Sequence, residues 1–209
     1  LISGHLLPDR GAVTYRGHRI DTVTPHRRAK RGIAIVFQGA RIFRGMTVLE
    51  NVMVGTHGST RSGFVASTLR LPGQRREERA IRDRAREALH RVDLARWANH
   101  AAESLPLGQQ RRLQVARALC ADPHLLLLDE PASGLRAGER AALAALVEEL
   151  REQGLTMLLI EHDVGFVVRL ADQITVLDLG AVIAEGDPAH VTGNERVVEA
   201  YLGQEGRQC

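Results

Sequence analysis

Leu125-Leu126-Leu127-Leu128-Asp129-Glu130 runs four apolar residues straight into two adjacent carboxylates. Four consecutive leucines predict a strand buried on both faces, as in a parallel sheet. Ligands of such sheets gather outside the carboxyl ends of the strands, which is where Asp129 and Glu130 fall. Successive side chains of a strand point to opposite faces, so one carboxylate can hold a metal ion while its neighbour faces a different atom. Nucleotide hydrolysis needs that division: one acid for Mg²⁺ and one for the attacking water. A hydrophobic strand ending in a solvated acidic turn has the same six residues. The hexapeptide alone leaves both readings open.

On either side of it the pattern alternates between strand and helix. Glu139 to Gln153 has an apolar stripe at Leu143, Leu146, Val147 and Leu150 and a helix stop at Gly154. Thr156 to Ile160 predicts a further buried strand, followed by His162, and Val164 to Ala171 a helix. Ile174–Leu177 and Ala181–Ala184 flank Asp178-Leu179-Gly180 as a hairpin, and a last helix runs from about Glu195 to Leu202. Upstream, Leu1 to Gly4 reads as the last turn of a helix, Gly11 to Ile20 as strand, turn and strand, and Ile33 to Phe37 as a short strand ending at Gln38. Between these flanks the chain is helical. Met46 to Asn51 starts a helix, and Arg75 to Val92 places Ile81, Ala85, Ala88, Leu89 and Val92 on one face, with Glu78–Arg82 and Glu87–Arg91 spaced as ion pairs. Gln109 to Leu119 turns Leu113, Ala116 and either Leu119 or Cys120 inward. The segment His57 to Gly73 is rich in Gly, Ser and Thr and reads as a loop or insertion.

Composition narrows the classes. At 209 residues the chain can bury a proper core, and its 44% hydrophobic content is ordinary for a globular protein. No apolar run approaches membrane-spanning length, and Leu1 to Pro8 has neither the charged start nor the apolar core of a signal peptide. Cys120 and Cys209 make no metal-like spacing and no disulfide framework. The net charge is +3, with basic clusters at His26-Arg27-Arg28-Ala29-Lys30-Arg31 and Arg75-Arg76. With only 3% aromatic residues and no recognition motif, these read as a solvated surface rather than a nucleic-acid interface.

Four segments then fall in one order: Gln38 after an apolar strand, Leu107-Gly108-Gln109-Gln110-Arg111-Arg112 opening a helix, Asp129-Glu130-Pro131 ending the leucine strand, and Glu161-His162-Asp163 ending the next. This order and spacing resembles the ATP-binding subunits of ABC transporters, with their Q-loop, signature motif, Walker B, D-loop and switch histidine. The stretches Arg41-Ile42-Phe43-Arg44-Gly45-Met46-Thr47-Val48-Leu49-Glu50-Asn51 and Ala200-Tyr201-Leu202-Gly203 look like the branched-chain amino-acid import branch. The segment between His57 and Arg76 favours the LivG-like subunit over its LivF-like companion.

The resemblance implies an α/β fold: a RecA-like P-loop NTPase core with an inserted helical subdomain. Its divisions would be residues 1–38 (core), 39–120 (helical, signature-bearing) and 121–209 (core). It implies ATP and Mg²⁺, with Asp129 binding the metal through water, Glu130 orienting or deprotonating the attacking water, and Gln38 touching metal or water. His162 would reach the γ-phosphate. Leu107, Gly108 and Gln109, with the D-loop residues Ser133 and Gly134, would face ATP held by a second ATPase subunit. At Gly108 the missing side chain lets backbone N–H groups approach a phosphate that the helix dipole favours. Pro106 stands where the family has Ser, Leu107 where it has Gly, and Arg136 where Asp or Asn is usual.

The partners implied are permease membrane subunits, a second ATPase subunit and, indirectly, a solute-binding protein, at the cytoplasmic face of the plasma membrane, with no nucleic acid. The chain contains no GxxxxGK[ST] loop, and its lone lysine, Lys30, has no glycine loop before it. In the family that loop lies just before a stretch like Leu1-Ile2-Ser3-Gly4. The sequence therefore reads as the family protein without its first strands and P-loop, expected to bind and hydrolyse ATP poorly by itself. Two rival expectations are a soluble ABC-type protein acting on nucleic acid or ribosomes, and a non-catalytic remnant.

Overall fold

The computed structural model describes residues 1–38, 42–58 and 72–202. The loop expected from His57 to Gly73 falls mostly on residues 59–71; with Arg41, Gly203 and Cys209, that stretch lies outside the described residues. The chain forms two compact units, Leu1–Ile160 and Glu161–Cys209.

The first unit is built on a parallel sheet of β3 (Ile33–Val36), β4 (Leu125–Asp129) and β5 (Thr156–Ile160), in the order β3-β4-β5. β4 is central, and Leu126, Leu127 and Leu128 are all buried. Each such leucine contributes about 1.5–3 kcal/mol of burial, which is why these three fix the middle of the sheet. Gly32 sets the register. Its backbone is left-handed (φ +85°), and its carbonyl accepts from His124 and Leu125 at 2.8 and 3.0 Å. A Cβ there would stand 2.5 Å from the His124 ring.

β5 corrects the expectation of a buried strand. It is hydrogen-bonded to β4 alone among the described residues, and its residues alternate, leaving Leu158 38% and Ile160 48% exposed. It is an edge. The connection from β4 to β5 is α5 (Ala137–Glu152), with Leu143, Leu146, Val147 and Leu150 buried as the stripe predicts, and Gly154 (φ +84°) ending it.

The helical middle comprises α2 (Val48–Met53), α3 (Pro72–Arg91) and α4 (Leu107–Leu119). They bury Val48, Val52, Ala85, Ala88, Leu89, Leu113 and Ala116 among themselves and their neighbours. α2 opens on a reciprocal cap: the Glu50 N–H donates to Thr47 Oγ1 at 3.2 Å, and the Thr47 N–H donates to Glu50 Oε2 at 2.8 Å. On α3 the Glu78–Arg82 pair forms at 3.1 Å, whereas Arg91 donates to Gln153 Oε1 at 2.6 Å rather than meeting Glu87.

At the N-terminal end, Leu1 to Gly4 is a turn closed by Gly4 N–H to Leu1 O at 2.9 Å, followed by the hairpin of β1 (Thr14–Tyr15) and β2 (His18–Arg19) and the short α1 (Pro25–Ala29). Here the charge-cluster reading is overturned. Arg28 is not on a solvated surface but 1% exposed. Its guanidinium donates to the carbonyls of Leu1, Ile2, Asp21 and Val23 at 2.7–2.9 Å. A buried charge is tolerated when its hydrogen bonds are met, and here backbone oxygens meet them.

The second unit holds α6 (Val164–Leu170), the antiparallel pair β6 (Ile174–Asp178) and β7 (Ala181–Gly186), α7 (Pro188–Thr192) and α8 (Glu195–Val197), which runs on as a π-turn to Leu202. Its core is Ile174, Val176, Ala184, Val191 and Val197. The hairpin turn puts Leu179 and Gly180 at φ +48° and +83°, the two left-handed residues of a tight two-residue connection.

Candidate functional site

Parallel register places the first two candidates abreast. Val36 of β3 pairs with Leu128 of β4, so Gln38 and Glu130 each lie two residues beyond a matched pair. They meet: Gln38 Nε2 donates to Glu130 Oε2 at 2.6 Å. Charge on the acceptor makes this a strong class of hydrogen bond. Glu130 leaves β4 in the left-handed region, at φ +44°, with its N–H donating to Ile160 O at 2.9 Å. A tight turn follows, with Ser133 N–H to Glu130 O at 3.2 Å and Gly134 at φ +76°. The backbone bend aims the Glu130 carboxylate towards Gln38 rather than along the strand.

Asp129 is the last residue of β4, paired with Ile160 of β5. It is half-buried, and its carboxylate makes no hydrogen bond to another described residue. A lone carboxylate at a strand end suits a hard cation whose other ligands are water and phosphate oxygens. No group of three or more His, Cys, Asp or Glu able to hold a metal occurs among the described residues. The donor set therefore fits a metal that arrives with a phosphate ligand and does not fit an all-protein metal cage.

A second cluster forms where α4 and α5 begin. The helix of Gly108 starts at Leu107, with Pro106 as an N-cap that offers no side-chain hydrogen bond. The Gly108 N–H is taken by Glu139, whose Oε1 accepts it at 3.2 Å across 31 residues of sequence. A Cβ at position 108 would lie 2.9 Å from Glu139 Oε1 and 3.0 Å from its Cγ. Close approach to this carboxylate is thus a second reason for glycine, beside the phosphate argument made from sequence. Arg111 Nη2 donates to Ser133 O at 3.2 Å. Leu107, 38% exposed, brings Cδ2 to 3.6 Å from where a Gly134 Cβ would be. The structure therefore groups Leu107, Gly108, Ser133 and Gly134. Gln109 is half-buried, and its Oε1 is buried without a hydrogen-bond donor among the described residues.

His162 belongs to the second unit. It sits just before α6 with an exposed ring, its Nδ1 3.8 Å from Oε2 of Glu161, whose side chain is buried. Asp163 caps α6, accepting from the Phe166 N–H at 3.0 Å.

Two residues in these networks carry more than their sequence positions announced. Asn51, fully buried, accepts the Phe43 N–H at 2.8 Å and donates to the carbonyls of Phe43 and Thr47 at 3.0 and 3.1 Å, tying Phe43 to the start of α2. Glu139 was legible only as a helix start: an acid in the third position of a helix is a capping signal, but nothing local points to Gly108. A concavity of about 330 Å³, lined by Ser3, His5, Ile35, Phe43 and Arg117 among others, includes neither carboxylate.

Comparison with known proteins identifies the family. A family model described as "ABC transporter" matches residues 1–133, and one described as "Branched-chain amino acid ATP-binding cassette transporter" matches residues 181–207. The chain is 39% identical to the high-affinity branched-chain amino acid transport ATP-binding protein BraF of Pseudomonas aeruginosa, over 97% of this chain and 80% of that protein. Among solved structures, it resembles an ATP-binding cassette of an ABC transporter with a TM-score of 0.81 at 29% identity, over 96% of this chain and 80% of that one. A dimeric post-hydrolysis cassette bound to ADP and Pi gives 0.70 at 27% identity, covering 89% of this chain and 77% of that one.

Proposed function

The chain belongs to the ABC transporter ATP-binding family, in its branched-chain amino acid branch, and on that premise we propose that it is the ATP-hydrolysing subunit of a branched-chain amino acid importer. The observation that carries the reading is the 2.6 Å contact of Gln38 with Glu130, beside Asp129, at the carboxyl ends of adjacent parallel strands. It supplies a carboxylate held in place for a water and a second one left for a metal.

In this reading Asp129 would hold Mg²⁺, which would supply neutralisation of phosphate charge. Glu130 orients the attacking water and takes its proton. Gln38 fixes the orientation of Glu130 and links it to the segment leading into the helical middle. His162 donates a hydrogen bond to the phosphate being transferred. Leu107, Gly108 and Gln109, with Ser133 and Gly134, face the nucleotide of a companion ATPase subunit, so closing the pair completes the site. The partition into residues 1–38, 39–120 and 121–209 follows these roles. Permease subunits are the membrane partners, a solute-binding protein the indirect one, and the cytoplasmic face of the plasma membrane the location. No helix of the described residues is long and apolar enough to cross a membrane.

Because these 209 residues contain no GxxxxGK[ST], the test is run on the assembled transporter. Glu130→Gln removes the base and keeps the shape. Turnover should fall by about 10²–10⁴-fold while ATP still drives the subunits together. Full turnover in this variant would remove Glu130 from the chemistry.

A further inference from the structure

Glu139 has two oxygens and uses them on two different helices. Oε2 accepts the Arg136 N–H at 3.1 Å, closing the first turn of α5, its own helix. Oε1 accepts the Gly108 N–H at 3.2 Å, reaching the first turn of α4. A cap for α5 alone would need only the first contact. The second requires glycine at 108, since a Cβ would stand within 3.1 Å of three Glu139 atoms. Further ties run in parallel: Arg111 Nη2 to Ser133 O at 3.2 Å, and Arg112 Nη2 to Ala142 O at 3.2 Å. The first-turn N–H groups of a helix have no partner within it, so a carboxylate that takes one from each of two helices locks their starting points together.

We propose that Glu139 is a positioning residue for the nucleotide sandwich: one carboxylate fixes the start of α4 to the start of α5, so that Leu107–Gln109 and Ser133–Gly134 move as one body. This rests on the function proposed above, in which both segments face the companion subunit's ATP. Glu139 touches no nucleotide itself. Without it each segment would have to be ordered separately when the subunits close, and the closed state would need more ATP to form.

The test uses Glu139→Ala, Glu139→Gln and Gly108→Ala in the assembled transporter, with kcat and KM for ATP measured separately. Removing two hydrogen bonds to a charged acceptor predicts a rise in KM of roughly tenfold or more for Glu139→Ala, with kcat at saturating ATP within about a factor of two. Glu139→Gln keeps one acceptor oxygen and should fall between. Gly108→Ala should also raise KM, and its effect should be less than additive with that of Glu139→Ala, because the two variants share the Gly108–Glu139 contact. Hydrogen exchange at the Gly108 amide in the 209-residue chain provides a readout independent of turnover: Glu139→Ala should expose it. An unchanged KM with a deprotected Gly108 amide would overturn the positioning role, and an unchanged amide would overturn the contact. Wild-type transporter without ATP hydrolysis would instead sink the function proposed above, which keeps the two failures apart.

Discussion

Glu130 and Arg28 show opposite ways in which a charged side chain is placed by its surroundings. Glu130 holds a left-handed backbone at φ +44°, a conformation that costs a residue with a Cβ about 1–3 kcal/mol and persists where neighbouring structure imposes it. The turn through Gly134 and the contact with Gln38 impose it here. Arg28 is buried for structure alone. Its donors close four carbonyls from two separate segments, Leu1–Ile2 and Asp21–Val23. Replacing it by Met, which fills space but donates nothing, leaves those oxygens unmet. Arg28→Met should destabilise the first unit by on the order of 3 kcal/mol, read as a lower urea midpoint; a midpoint unchanged within error would mean that water satisfies the same carbonyls.

Among the elements, α2 is the one whose start is most explicitly built. Its Thr47–Glu50 cap depends on the ionised carboxylate, and the Thr47 backbone N–H, followed by its hydroxyl, holds the Glu50 carboxyl below its ordinary value. A depressed carboxyl stabilises the folded state fully above its unfolded pKa, and that contribution disappears as pH falls through the lower folded value. Acidification from neutral pH into that range should therefore loosen the first turn of α2. Amide exchange at Glu50 and Asn51 checks this, and Glu50→Gln should flatten the pH response. If the variant keeps the full response, another group governs it. The adjoining Asn51 was legible only as part of a motif. Its burial and three hydrogen bonds depend on how the segment before α2 folds back over it.

For the whole molecule, the sheet edge matters most. β5 was expected inside, since Thr156 to Ile160 is as apolar as β4, but composition does not say how many neighbours a strand has. With β4 on one side and no strand on the other among the described residues, Leu158 and Ile160 stay exposed. An exposed apolar edge with unpaired backbone groups invites pairing with another chain. The 209-residue chain should self-associate as its concentration rises, and Leu158→Lys should suppress this in sedimentation velocity. Equal association of both proteins would show that the edge is not the contact. Legibility in the sequence followed range. The α5 stripe, the leucine strand and the hairpin at Asp178-Leu179-Gly180 are local patterns and appeared as read, while the burial of Arg28 and the bond from Glu139 to Gly108 join distant segments and were missed.

By itself the sequence determined the alternating α/β order, the placement of Asp129 and Glu130 at a strand end, and the family, because periodicity, turn residues and motif spacing are properties of short stretches. Only the tertiary structure decided which of these residues touch. Strand register brought Gln38 to Glu130 across 92 residues, and helix packing brought Glu139 to Gly108 across 31. Such contacts depend on how elements are set beside one another, and no local pattern encodes a hydrogen bond between segments that meet only after the core has formed.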